Sequence, residues 1–405
     1  MSTCSRFSRV PEENQIIARY DEGYCVKIAL NALSVYSGGG FTSFCNLLPA
    51  LDRADRTNEY TVIISRFQTH LVQSIPEEFR VRYVRFNPRI LWRRLFFEQV
   101  IFPFLLWKLQ IDWLYSTGNV TALLAPCKVL LLVESANPYS SLRVTRPLRE
   151  KIRLVALRVL GYLSVKRATK IRFLSENSRQ IISRKHRIPA QDSCVIYHGV
   201  NLQQDSNQET PRPATIPGKY ILTVADIMPH KNIHALMDAF EILSTRFRYN
   251  GSLIIAGASI YPFYSKVLLE KKNVLTCGPR IMFLGWVEPG QVSALYRSAD
   301  LFVMPSLEET FCLPVIEAMA RGTPTAVPAE QAGYEGLFFP YRELCGDAVA
   351  YFNPFDPSEI ANCIHAVMED RSYYERLIYE GKLRAKRYDW NKTAAAIVDI
   401  FRETY

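Results

Sequence analysis

The chain has 405 residues, 48% of them apolar and 12% aromatic, with a formal net charge of +10. That is enough for two domains with ordinary cores, and it excludes a collagen-like, disordered or low-complexity protein. Nine cysteines at irregular spacings, with no C-x-x-C pair, exclude a cysteine-built zinc site or redox motif and read as reduced thiols in packed interiors.

The first segment, "MSTCSRFSRVPEENQ", is polar and lacks the basic-then-apolar order of a secretory signal. "VKIALNAL" (26–33) is a β-type run. "SGGGF" (37–41) breaks it, and "TSFCNLLPAL" reads as a helix. Strand patterns follow at 61–65 and 81–86. The most apolar stretch, "LFFEQVIFPFLLW" (95–107), is interrupted by Glu98 and Pro103 and is too short to cross a bilayer. It reads first as a buried helix. A membrane-surface contact is the rival reading, because Arg89, Arg93, Arg94 and Lys108 flank it. Strands at 112–117, 128–134, 170–175 and 193–199 complete the first half, with helices at 143–163 and 176–186 between them.

"QQDSNQETPRPATIPG" (203–218) is polar and proline-rich and reads as a linker. A second alternation follows: "KYILTVAD", helix 231–246, "GSLIIAG", a helical segment near 264–271, "IMFLGWV", helix 289–298, "DLFVMPS", helix 314–321, "TPTAVP", "GDAVAYFNP" and a helical tail. Short apolar runs alternating with helices predict parallel sheets covered on both faces. The expected fold class is therefore α/β, with two Rossmann-like domains, and ligands of such sheets bind beyond the carboxyl ends of the strands. Charge divides between the halves. Residues 1–205 hold 29 Lys and Arg against 16 Asp and Glu, and residues 206–405 hold 20 against 23, so the first half is expected to face something anionic. Nucleic acid is the weakest partner, since no nucleic-acid-binding signature accompanies the charge.

"SLEETFCLPVIEAMARGTP" (306–324) carries the chemistry. The loop leaves a strand, Pro314 suits the first turn of a helix and Gly322 its end. The N–H groups of Thr310, Phe311, Cys312 and Leu313 then form an anion site, worth about 0.3–1 kcal/mol from the helix dipole alone, plus direct bonds to a phosphate. Glu309 precedes this site and Glu317 lies one turn into the helix. A ligand with a sugar, a diphosphate and a nucleoside satisfies all three features.

This segment resembles the E-x7-E motif of the retaining GT-B glycosyltransferases of family 4, the glycosyltransferases group 1. "YILTVADIMPHKNIHALMDAF" resembles the segment with that family's phosphate-binding lysine, here Lys231. "IMFLGWVEPGQVSALYRSADLFVMPSLEETFCLPVIEAMARGTPTAV" resembles its nucleotide-binding stretch, and "SENSRQII", "VIYHGVN" and "ELCGDAVAYFNPFDPSEIANCI" also fit. The similarity is strong over roughly residues 170–390 and weak before. It implies a GT-B fold, with domains at 1–204 and 205–388 facing across a cleft and a final helix, 389–405, crossing back to the first. It implies that Lys231 stabilises the diphosphate leaving group. Gly285, Trp286 and Val287 would line the base pocket and Glu317 would hold the ribose. Glu309 and the amides of Thr310 to Leu313 would hold sugar and phosphate. Gly38, Gly39 and Gly40 would approach the diphosphate from the first domain.

Two departures matter. The family's usual arginine, five residues before the lysine, is Asp226 here, and only Arg143 and Arg146 suggest themselves as replacements. The usual histidine after "LLLVE" is missing, leaving Glu134 as a candidate base and Asn137 as a candidate hydroxyl partner. His198 and His230 are given no catalytic role. No D-x-D pair occurs, which fits a reaction needing neither metal nor other cofactor. The implied activity is retaining transfer of a sugar, with mannose a candidate, from a nucleotide-diphosphate donor to a glycan or lipid-linked hydroxyl. Its setting would be surface polysaccharide or O-antigen assembly, at a cytoplasmic location on the inner face of an anionic membrane. A catalytically silent scaffold, an epimerase and a phosphorylase are the alternatives.

Overall fold

The computed structural model describes residues 25–36, 38–136, 139, 148–201, 216, 218–331, 334 and 336–403. Among the described residues, thirteen strands, all parallel, fall into two sheets. The first sheet holds β1 (Lys27–Asn31), β2 (Glu59–Ser65), β3 (Arg80–Val84), β4 (Trp113–Ser116), β5 (Lys128–Val133), β6 (Lys170–Phe173) and β7 (Ser193–Val195). Its order is β3-β2-β1-β4-β5-β6-β7. The second holds β8 (Tyr220–Val224), β9 (Ser252–Ala256), β10 (Ile281–Gly285), β11 (Leu301–Val303), β12 (Thr325–Pro328) and β13 (Ala350–Phe352), in the order β10-β9-β8-β11-β12-β13.

Central strands such as "KVLLLV" and "SLIIA" are buried almost throughout. Burial on both faces explains why they read as continuous apolar runs and not as an alternation. Each sheet reverses its winding direction once, at β1/β4 and at β8/β11. Helices leave the crevice open at such a reversal, so the topology sets a binding site at the carboxyl ends of these strands. The two halves share one apolar core: Phe44, Leu48 and Trp113 of the first cluster with Phe311, Leu313 and Tyr388 of the second. Phe338, fully buried, packs into the first domain's other core with Phe102 and Phe173.

The last helix, Trp390–Arg402, packs along the helix Gly38–Ala54 of the first domain. Arg53 donates to Asn391 Oδ1 at 3.0 and 3.1 Å, Arg402 pairs with Asp55 at 3.3 Å, and the rings of Trp113 and Phe401 lie 5.6 Å apart.

Two local expectations are corrected. The glycine run does not precede its helix but forms its first turn, beginning at Gly38. The apolar stretch is not a buried helix. It is a helix Leu91–Phe96, a π turn Phe97–Ile101 and a helix Phe102–Lys108. Pro103 lacks an N–H, and the Phe102 N–H reaches back to the Phe97 carbonyl instead, widening the turn. Phe97, Phe102 and Leu106 face the core, while the opposite face is open to solvent.

Gly199 marks where the last helix seats. A Cβ there would lie 2.2 Å from the Trp390 nitrogen and 2.6 Å from its ring. Gly199→Ala is expected to destabilise the first domain by about 1–3 kcal/mol, the range for overpacking a closed contact, read as a lower thermal midpoint.

Candidate active site

Four strand ends deliver the candidate residues. β1 runs into the Gly38 turn, β5 ends at Glu134, β8 leads to Asp226 and Lys231, and β11 leads into the loop with Glu309. These are the central strands of the two sheets, so the groups meet for topological reasons although they are far apart in sequence.

Lys231 ends a short 3-10 turn, Pro229–Lys231, and Asn232 follows in the left-handed region at φ 55°. Asn232 Nδ2 donates to the Pro354 carbonyl at 2.8 Å, which fixes that turn. The Lys231 Nζ lies 2.5 Å from Glu309 Oε1, with both side chains largely shielded from water. Burial alone would push the ammonium down. Glu309, helped by Asp226, outweighs it and holds the lysine above its ordinary value. The lysine is thus a charged, oriented cation at the crevice.

The loop around Glu309 is pinned from behind. Leu307 N–H donates to the His230 carbonyl at 2.8 Å and Glu309 N–H to the Phe338 carbonyl at 2.9 Å. Cys312 is left-handed at φ 71°, unusual for a residue with a Cβ. It turns the chain directly into the helix Leu313–Ala320, with Pro314 inside the first turn. Among the described residues, the N–H groups of Thr310, Phe311, Cys312 and Leu313 meet no protein acceptor. Four clustered amides at a helix start, beside a lysine, are suited to a phosphate.

Across the crevice, Glu134 is half-buried with its carboxyl turned inward. It accepts from Ser43 Oγ at 3.2 Å. A Cβ on Gly40 would stand 3.0 and 3.1 Å from the two Glu134 oxygens, so glycine is what lets the helix start approach the acid. Gly38, at φ +65°, faces Asp226 in the same way: a Cβ there would lie 2.9 Å from Asp226 Oδ2. Gly39 has open space on its side. Burial pushes the Glu134 carboxyl up, against Ser43 and the Arg172 guanidinium, which pull it down. The Glu134 carbonyl accepts from Thr310 Oγ1 at 2.5 Å, a direct bond between the two domains. The structure therefore gathers Gly38, Gly40, Glu134, Asp226, Lys231, Glu309 and Thr310 at one place.

Glu317 lies further along its helix, where Tyr296 O–H donates to Oε2 at 3.2 Å. Gly285, with φ +70°, ends β10 two strands away from β8, and its carbonyl accepts from Gly257 N–H at 2.8 Å. Trp286 is exposed beside it, and Val287 packs on the core. Asn137, Arg143 and Arg146 lie outside the described residues.

Arg172 and His198, a further buried cation and imidazole, are structural. Arg172 is fully buried and donates to Tyr115 Oη at 2.7 Å and to the Ile196 carbonyl at 3.1 Å. His198 stands 3.4 Å from it, and burial holds the imidazole well below its ordinary value. Two sets of contacts went unread in the sequence: those of Asp226, noted there only as standing at the family's arginine position, and those of Glu343. Asp226 Oδ1 accepts from Ala258 N–H at 3.0 Å while its other oxygen faces Gly38. Glu343 accepts from the Glu176 and Asn177 amides at 2.6 and 2.9 Å and from Tyr197 Oη at 2.9 Å, tying the second domain to a helix start of the first. No local signal marks either, because their partners lie far away in sequence.

Comparison with known proteins fits this geometry. Residues 207–384 match the family described as glycosyl transferases group 1. The serotype-specific mannosyltransferase WbdA of Escherichia coli is 28% identical over 187 residues, 46% of this chain and 22% of that protein. The O-antigen chain mannosyltransferase RfbU of Salmonella typhimurium is 28% identical over 208 residues, 51% of this chain and 52% of that protein. The chain thus spans from about a fifth to about half of these relatives' length. Among solved structures, Anabaena Alr3699/HepE in complex with UDP-glucose superposes with a TM-score of 0.69 at 18% identity, over 94% of this chain and all of that one. That likeness is one of fold.

Because the folded state raises the Glu134 pKa, it binds that proton more tightly than the unfolded chain does. The resulting stabilisation is full below the ordinary glutamate range and is lost as pH rises through the raised value. Glu134→Gln cannot ionise. It is expected to melt higher than the parent at neutral pH and to lose that advantage in acid. Melting curves at both pH values check this, and a difference that does not vary with pH would refute it.

Proposed function

We propose, because residues 207–384 match the family described as glycosyl transferases group 1, that the chain transfers a sugar from a nucleotide-diphosphate donor to a hydroxyl of a glycan or lipid-linked acceptor. The reading is retaining transfer giving an α linkage, with mannose as the sugar, in the assembly of a surface polysaccharide such as O-antigen. Relatives named as mannosyltransferases support the sugar. The acceptor would be met at an anionic membrane surface, in keeping with the basic first half.

The observation that carries this reading is the Lys231–Glu309 pair set beside four amides that have no acceptor among the described residues. In the proposed reaction the bond between the sugar's anomeric carbon and the diphosphate oxygen breaks. The acceptor oxygen bonds to that carbon on the same face, and its proton leaves to a phosphate oxygen or to Glu134. Charge develops on the leaving diphosphate, where Lys231 and the amides of Thr310 to Leu313 would meet it without reorganising. These groups would do the work that a resident metal does elsewhere. Glu309 would pass from lysine partner to acceptor of sugar hydroxyl bonds, and Glu317 would hold the ribose at the far end. The Thr310–Glu134 bond would close the domains over the donor and exclude water.

A catalytically silent scaffold is the rival, and Asp226 favours it. A carboxylate faces the glycine turn where a second cation would help a diphosphate.

Incubation with a panel of nucleotide sugars, read as nucleoside diphosphate release, separates the two. Lys231→Ala is expected to lower turnover by about 10²–10³-fold, the usual loss on removing a transition-state donor, with a much smaller change in thermal midpoint. Absence of binding to every donor would favour the scaffold. Parallel losses of turnover and stability would remove Lys231 from the chemistry.

A further inference from the structure

The first domain carries an apolar face that none of the described residues covers. Along the segment Leu91–Lys108, Trp92, Phe96, Val100, Phe104 and Trp107 recur at intervals of four, four, four and three, and all are exposed; Trp107 stands 65% open and Phe104 63%. Since Phe97, Phe102 and Leu106 fill the opposite side, the segment is apolar all round, a pattern that belongs to helices with cover on every side.

A second helix, Leu148–Arg167, shows the same deficit. From Glu150 to Leu160 none of its residues is buried. Ile152, Val155, Val159 and Tyr162, spaced at helical intervals, are exposed. The two helices flank one turn. Gln99 bonds to Thr121 and Leu123 at 3.0 Å, while Ser164 accepts from Thr121 N–H at 3.0 Å and Arg167 donates to the Leu123 carbonyl at 3.1 Å. Leu124, 75% exposed, sits on that turn between the two stripes. Exposed apolar stripes on two helices that flank one turn mark an interaction site.

We propose that this two-helix face docks on an anionic lipid bilayer, with its aromatic side chains in the headgroup region. Charge selects that occupant. Residues 89–108 and 148–167 carry ten Lys and Arg against two Glu, and one of those, Glu98, is buried and paired with Arg94 at 3.7 Å. Arg93, Lys108, Lys151 and Arg153 are exposed around the apolar stripes. Tryptophan and phenylalanine ringed by lysine and arginine match an anionic interface, in which apolar bodies sink and cationic heads stay at the phosphates. A second copy of this chain would bring the same basic rim against itself, which like-charge repulsion disfavours. The face also connects to the crevice: Asn31 Nδ2, at the end of β1, donates to Glu98 Oε1 at 3.1 Å on the segment's inner side. A bilayer holding this segment therefore lies behind the strand that feeds the Gly38 turn. The surface stands on its own observations; only its use for a lipid-linked acceptor rests on the proposed activity.

The test is co-sedimentation of the full chain with vesicles of phosphatidylglycerol and phosphatidylethanolamine, and with phosphatidylcholine alone. Binding to the anionic vesicles is expected, with a blue shift of tryptophan emission, weakening as salt rises. The double variant Phe104→Ser, Trp107→Ser and, separately, Val155→Ser, Val159→Ser are each expected to bind about tenfold or more weakly. Their thermal midpoints and nucleoside diphosphate release from the nucleotide-sugar panel without vesicles should stay at parental values. Absence of binding at low salt would overturn the proposal, as would a lipid-free dimer on gel filtration that either variant dissolves. Vesicle binding by a chain that turns over no donor would leave this face standing and remove the catalytic reading instead.

Discussion

One ion pair organises the crevice: the Lys231 ammonium against the Glu309 carboxylate at 2.5 Å, both mostly withdrawn from water. A buried cation is costly unless paired, and its partner must then be held in place by the fold. That requirement reaches outward in both directions. Behind the lysine, Asn232 in its left-handed conformation is tied to Pro354. Behind the glutamate, the loop is bonded to His230 and Phe338, and Phe338 is itself fully buried in the first domain's core. The geometry of the pair thus depends on packing contributed by both halves of the chain.

The same crevice is where the two domains touch through polar groups. Thr310 bonds to the Glu134 carbonyl, Gly38 lies against Asp226, and Glu343 receives the amides that open the helix Glu176–His186. Each contact is local enough to break in a hinge motion, whereas the apolar packing of the Trp390–Arg402 helix on the first domain is extensive. Motion that opens the crevice would therefore leave the last helix in place. Placing the weak contacts at the site and the strong ones behind it is what domain closure over a ligand requires.

The strands were almost fully legible in the sequence. Doubly buried parallel strands are short β-branched and leucine-rich runs bounded by turn residues, and the described strands lie within or across runs read as strands, the largely exposed β3 (Arg80–Val84) being the most polar of them. The loop from β11 was legible too, since Pro314 and Gly322 mark a helix start and stop by backbone chemistry alone. What the sequence hid depends on the third dimension. The glycine run seemed to break structure, yet it begins a helix, because tertiary contact with Asp226 and Glu134 makes glycine suitable at positions 38 and 40. The Leu91–Lys108 segment seemed destined for burial, because composition reports apolarity and not which face a core has room for. Thr310 and Glu134 are 176 residues apart, and no periodicity connects them.

Asp226 gives the crevice an unusual balance. Glu309 and Asp226 both act on one lysine, and across the crevice Glu134 is an acid that burial favours in its protonated form. A dianionic diphosphate entering such a site meets repulsion that a second cation would otherwise cancel. It gains only if Glu309 releases Lys231 and turns to neutral hydroxyl donors. A sugar supplies those hydroxyls, while inorganic phosphate or a bare nucleotide does not supply them at the same end. In the proposed reaction the acid-rich arrangement would therefore discriminate by coupling: the phosphate contact would become favourable when the carbohydrate end is satisfied at the same time. Amides, unlike side-chain cations, carry no counter-ion to displace, so the N–H groups of Thr310 to Leu313, without an acceptor among the described residues, would begin that exchange before the lysine is released.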